Sequence, residues 1–106
     1  RPGLLESIYE KCLCKELRLR NINYKKQVSL PVIYKDEKLG YDYKIDLFVE
    51  DEIIIELKAV EFVLPVHKAQ LLSYLRLANK RLGLLINFNV PKLVDGYSRI
   101  INGFFD

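Results

Sequence analysis

Apolar residues at Leu4, Leu5, Ile8, Tyr9, Cys12, Leu13 and Leu17 recur with the spacing of an amphipathic helix, and Lys11, Lys15, Glu16 and Arg18 fall outside the stripe. This predicts a first helix from Gly3 to about Arg20. Asn21 to Asn23 breaks the pattern. Gln27 to Tyr34 then alternates imperfectly around Pro31, as expected of an edge strand or a bulge. After a turn over Lys35 to Lys38, a strand is predicted from Leu39 to Val49. An acidic turn, Glu50-Asp51-Glu52, returns the chain as a third strand, Ile53 to Val60. Leu64-Pro65 opens a second helix whose buried stripe is Ala69, Leu71, Leu72, Leu75 and Ala78, with Lys68, Arg76 and Asn79 on the wet side. Lys80 and Arg81 suit its C-terminal end electrostatically. Gly83 to Phe88 reads as a strand covered on both faces, 91–96 as a loop and Tyr97 to Ile101 as a last short strand. A helix linking two such strands makes a crossover that is right-handed if they are parallel. The expected result is a mixed sheet covered by helices.

Composition narrows this little further. The chain has 106 residues, half of them apolar, enough for one core, so 1–106 is read as a single domain. Seventeen Lys and Arg against fourteen Asp and Glu leave a net charge of +3, too small to name a nucleic-acid partner by charge alone. Lys25, Lys26, Lys68, Arg76, Lys80, Arg81 and Arg99 are scattered and read as solvated faces. No apolar run approaches the roughly 20 residues that cross a bilayer, so no membrane partner is expected. Cys12 and Cys14 sit two apart in the predicted helix and point to opposite sides, which argues against a bridge and for a reducing, cytoplasmic setting. Arg1-Pro2-Gly3 resembles no signal segment, and an N-terminally trimmed chain is expected.

The chemical anomaly lies in Ile53-Ile54-Ile55-Glu56-Leu57-Lys58-Ala59-Val60, where two charges interrupt the most core-like strand. Alternation puts Glu56 and Lys58 on one face with Ile54. With an odd-numbered hairpin loop such as Glu50 to Glu52, Val49 faces Ile53, Leu47 faces Ile55, and Asp46 faces Glu56. An even loop separates the two acids. Two adjoining carboxylates repel unless a proton or a cation lies between them, and such a pair with an open approach suits Mg²⁺. A neighbouring lysine adds a charge that orients a water or stabilises a phosphate, which suggests metal-assisted phosphodiester hydrolysis. An ion pair beside a hairpin is the plainer alternative. On the second helix His67, Gln70 and Tyr74 form one polar stripe. His67 alone suits a surface or capping role.

Asp46, then Glu56-Leu57-Lys58, then Gln70-Leu71-Leu72-Ser73-Tyr74 resemble, in order and spacing, the PD-(D/E)XK nuclease superfamily and its RecB-like branch. More narrowly, Gly3 to Tyr9, Ile55 to Val60, His67 to Leu75 and Gly83 to Phe88 resemble the small stand-alone GxxExxY (GxxExxRP) family. The resemblance implies an α/β, restriction-endonuclease-like αβββαβ core with a mixed central sheet flanked by helices. It implies Asp46 and Glu56 as ligands of Mg²⁺ or Mn²⁺, Lys58 assisting the nucleophilic water, and Gln70 and Tyr74 supporting the site or the phosphate. Glu6 matches the helix glutamate that completes the acidic cluster in related nucleases. It also borders the apolar stripe at Leu5, Tyr9 and Leu13, although an acid near a helix N-terminus is favourable in any protein. The expected activity is a Mg²⁺-dependent nuclease that hydrolyses phosphodiester bonds in DNA, with RNA as the alternative substrate. A catalytically idle nucleic-acid-binding module, or a protein-interaction module working as a homodimer or with a partner protein, is the alternative on the same fold.

Overall fold

The computed structural model describes residues 4–89 and 96–103. The element order is helix α1 (Leu4–Leu19), strands β1 (Tyr24–Tyr34), β2 (Glu37–Val49) and β3 (Ile53–Lys58), helix α2 (Pro65–Ala78), and strands β4 (Leu82–Asn87) and β5 (Tyr97–Ile101). The expected loop at 91–96 lies outside the described residues except for Gly96, and Gly3 lies outside them too.

The strands form one sheet in the order β1-β2-β3-β4-β5. Neighbours are antiparallel except β3 and β4, which run parallel across the α2 crossover. The sheet is therefore mixed, as the sequence pattern implied. The β1–β2 and β2–β3 turns use left-handed residues. Lys35 and Asp36, with φ 48° and 67°, make the two-residue turn whose twist matches the strands it joins. Glu50 and Asp51, with φ 52° and 57°, shape the second turn, where the Glu52 N–H reaches the Val49 carbonyl at 3.0 Å. β1 is an edge strand, and its register shifts between Pro31 and Ile33, opposite the segment holding Gly40 at φ 81°. A proline that cannot donate to the ladder is accommodated at that irregularity.

Each face of the sheet carries a helix. Cys14 and Leu17 of α1 pack with Leu47, Val49, Ile55, Leu57 and Ile86. Leu71, Tyr74 and Leu75 of α2 pack with Ile45, Ile54 and Leu85 on the other side. α2 begins at Pro65, whose missing N–H costs nothing in the first turn. It ends at Asn79 in the left-handed conformation, with the Lys80 N–H bonded to the Leu75 carbonyl at 2.9 Å. Ala69, expected in the buried stripe, is exposed, because two residues along a helix is most of a half-turn away from Leu71. Leu5, Ile8 and Cys12 of α1 are also exposed. Cys12 and Cys14 are both free, the first exposed and the second buried.

The pleat of two strands inverts at one level. Strict alternation keeps Ile45 on the face of Leu47, and Tyr24 on the face of Val28. Instead Leu47 and Tyr24 pack in the α1 layer, and Ile45 and Val28 in the α2 layer. The ladder pairs Lys26 with Leu47 and Val28 with Ile45, and skips Gln27 and Asp46 between them. Gln27 has φ 53°. Both strands turn over together there, and their register is the same on either side.

Candidate functional site

The odd-numbered hairpin is present: Val49 pairs with Ile53 and Leu47 with Ile55. One step further the backbone ladder stops and two carboxylates replace it. Oε2 of Glu56 accepts the Asp46 N–H at 2.9 Å, and Oδ2 of Asp46 accepts the Leu57 N–H at 2.8 Å. Each acid thus holds the backbone of the other's strand. Their remaining oxygens, Oδ1 and Oε1, receive no hydrogen bond from the described residues and are not sealed from solvent.

Glu56 is 5% exposed. Burial, and then the like charge of Asp46, push its carboxyl up to about 8, against the pull of the Asp46 N–H and the Lys58 ammonium. The plain alternative, an ion pair between Glu56 and Lys58, is not formed: Lys58 is half-buried and makes no salt bridge among the described residues. Its charge is felt at Glu56 from further off.

A cleft of ≈ 390 Å³ opens beside Asp46, lined by Glu6, Ser7, Glu10, Gln27, Asp46 and Leu57. α1 turns Glu6 and Glu10, one turn apart, toward the sheet and leaves Leu5 and Ile8 outside. This reverses the usual amphipathic arrangement where the helix faces this cleft and not the packed core. Glu6 is close enough to raise the Glu56 carboxyl, as the weakest of the contributions acting on it. Among the described residues, no three His, Cys, Asp or Glu side chains close around a single point as a metal cage. The tight acidic unit is the Asp46–Glu56 pair, with Glu6 across the cleft.

The α2 stripe is less uniform than its sequence. Tyr74 is buried in the core layer, its ring 5.0 Å from that of Tyr43. Burial, followed by the charge of Glu56, raises its phenol to about 12, so it remains a proton donor. Gln70 is exposed and makes no side-chain hydrogen bond among the described residues. His67 caps the helix, its Nδ1 accepting the Leu64 N–H at 2.9 Å.

Three residues beside the site were not singled out from the sequence. Gln27 donates through Nε2 to Oε2 of Glu10 at 2.8 Å, directly across the sheet from Asp46. Glu10 is therefore the second. Asn87, 3% exposed at the end of β4, bonds both the N–H and the carbonyl of Val60, at 3.0 and 2.9 Å. The Phe88 N–H meanwhile takes the Lys58 carbonyl at 2.8 Å. β3 consequently ends at Lys58 and not at Val60, because a side chain has taken over the ladder. A polar residue closing an apolar strand is the same anomaly that marked Glu56, and it marks Asn87 as well.

Residues 1–100 match the PD-(D/E)XK nuclease superfamily, and the chain belongs to it. Nucleases of this superfamily generally use divalent metals. No curated protein matches the chain. A solved crystal structure, that of SSO0001, superposes with a TM-score of 0.71 at 21% identity, over 99% of this chain and 55% of that one. At that identity the likeness is one of fold, and this chain spans little more than half the length of that protein. No described helix is long and apolar enough to cross a membrane.

Proposed function

We propose that the chain is a Mg²⁺- or Mn²⁺-dependent nuclease that hydrolyses phosphodiester bonds in DNA, with Asp46 and Glu56 as the metal ligands. The observation that carries this reading is the reciprocal pair itself. Two carboxylates are locked side by side by each other's strands, and one is held so far above its ordinary range that it needs a proton or a cation. The donor set fits a hard divalent ion: each acid spends one oxygen on a backbone N–H and leaves the other for a ligand. A divalent ion bound there supplies Lewis-acid activation of a water and of the phosphate.

The chain's own groups divide the remaining work. Asp46 and Glu56 hold their oxygens in place through the N–H groups they occupy, so no reorganisation is needed on binding. The Lys58 ammonium, which has no ion-pair partner among the described residues, orients the attacking water and balances charge gathering on the phosphate. Glu6 closes the acidic side of the cleft from α1. The Tyr74 phenol stays protonated beside Glu56 and donates toward the site, and the exposed amide of Gln70 one turn earlier meets the phosphate. The resemblance of the Glu6, Tyr9, Glu56-Leu57-Lys58 and Gln70-Tyr74 motifs to the GxxExxY family and the RecB-like branch supports the same assignments.

The test is cleavage of linear and circular DNA, with an RNA arm, in Mg²⁺, Mn²⁺ and EDTA. Cleavage is expected only with the metals, and to be lost in Asp46→Ala and Glu56→Ala. Salt-sensitive DNA binding that survives EDTA, without cleavage, would instead establish the idle binding module.

A further inference from the structure

We infer that Gln27 is a positioning residue that sets the reach of Glu6 to the Asp46–Glu56 pair, acting through Glu10. The inference rests on the metal-dependent reading above. Glu6 belongs to a helix that touches the sheet at its N-terminal half through few groups. Among the described residues, two side-chain hydrogen bonds tie α1 to the sheet: Arg18 to the Tyr24 hydroxyl at the far end, and Gln27 to Glu10 beside the cleft. A third tie is the Tyr9 ring, stacked on Phe88 with centroids 4.2 Å apart. Glu6 lies three residues before Tyr9 and four before Glu10, so it shares one helix face with both. The ring stack and the amide bond bracket it from the two sides.

The backbone of Gln27 adds to this. Its φ of 53° is a left-handed conformation that costs a non-glycine residue energy, and it occurs where β1 turns over opposite Asp46. On the turned-over strand the Gln27 side chain lines the α1-side cleft, where Glu10 waits. One residue thus meets the inversion that presents Asp46 and the pin that holds the Glu6 helix. A glutamine chosen only for strand formation has no reason to adopt that φ. A glycine chosen only for the turn would leave Glu10 without its donor.

The test is Mn²⁺ affinity, measured by titration calorimetry on the full chain. Gln27→Gly keeps the left-handed backbone and removes the amide; Glu10→Ala removes the same bond from the helix side, and Glu10→Gln retains an acceptor for Gln27. Gln27→Gly and Glu10→Ala are each expected to weaken Mn²⁺ binding about tenfold, as loss of a supporting contact does elsewhere, while Glu10→Gln stays near wild type. Glu6→Gln is expected to weaken binding in the wild-type background and to add nothing in Gln27→Gly. Wild-type affinity in Gln27→Gly and Glu10→Ala, or full additivity with Glu6→Gln, overturns the inference. Melting curves identify a variant that has unfolded, and Glu10→Ala then decides alone. Wild-type protein that binds no Mn²⁺, or binding indifferent to Asp46→Asn, overturns the metal reading and this inference with it. Binding that needs Asp46 but not Gln27 overturns this inference alone.

Discussion

Asp46 and Glu56 each hold the backbone of the other's strand, at 2.8 and 2.9 Å respectively, where the β2–β3 ladder would have continued. Two acids have replaced two ladder bonds, and the electrostatic consequence falls on the buried one. Glu56 is raised from 4.5 to about 8, so the folded chain holds its proton more tightly than the unfolded chain does. That contribution to stability is complete below about pH 4.5 and is lost as pH rises through about 8. The expected loss is a few kcal/mol across that window. Glu56→Gln keeps an acceptor for the Asp46 N–H and removes the titration. Thermal melts from pH 5 to 9 without divalent ions should show the wild type falling relative to Glu56→Gln by several degrees. Parallel curves would show that Glu56 titrates normally.

Much of this site could be read from the sequence. Glu56 and Lys58 stood out as charges in the strand Ile53–Val60, and hairpin parity through Glu50–Glu52 placed Asp46 opposite Glu56. The inversion at Gln27 and Asp46 could not be read. Ile45, Leu47 and Val49 alternate as a regular strand does, and so do Ile22, Tyr24, Val28 and Leu30. Because both faces of this sheet are covered by helices, an apolar residue is satisfied on either, and the pattern carries no mark of a change of face. Helix periodicity failed for a related reason. Leu5 and Ile8 looked like the buried stripe of α1, but the helix turns Glu6 and Glu10 inward toward a cleft. The strand end at Lys58 was missed because Asn87 caps Val60 through its side chain, which no strand propensity encodes.

Asn87 is expected to be a stability residue with consequences for Lys58. It satisfies the Val60 N–H and carbonyl together, and its Oδ1 also takes the Asn89 N–H at 3.2 Å. Asn87→Ala leaves these partly buried groups unpaired and should cost about 2–4 kcal/mol in urea unfolding. Asn87→Asp retains the acceptor but sets a carboxylate against the Val60 carbonyl, and should be at least as damaging at pH 7. A loss below about 0.5 kcal/mol in both would show that water replaces the clamp.

Gly83 allows α2 to lie close to β4. A Cβ at this position would stand 3.0 Å from Cγ, Cδ1 and Cδ2 of Leu71, which is fully buried. Gly83→Ala is expected to destabilise by about 1–3 kcal/mol, the usual range for overpacking. Leu71→Ala opens the same space, so the double variant should be less destabilised than the sum of the two. Simple additivity in a urea double-mutant cycle would show that the helix shifts away instead.

Tyr74 joins the core to the site, and its two parts separate experimentally. The ring is 5% exposed and packs against Tyr43 and the α2 layer, so Tyr74→Ala should cost about 3–5 kcal/mol of stability. The hydroxyl makes no hydrogen bond among the described residues, so Tyr74→Phe should unfold within about 1 kcal/mol of the wild type. Its phenol, raised to about 12 by burial and the Glu56 charge, stays protonated across the neutral range. If that donor serves the phosphate, Tyr74→Phe loses tenfold or more in single-turnover cleavage, at unchanged stability and without a new limb in the pH profile below pH 10. Equal cleavage rates in Tyr74→Phe and wild type would confine Tyr74 to packing.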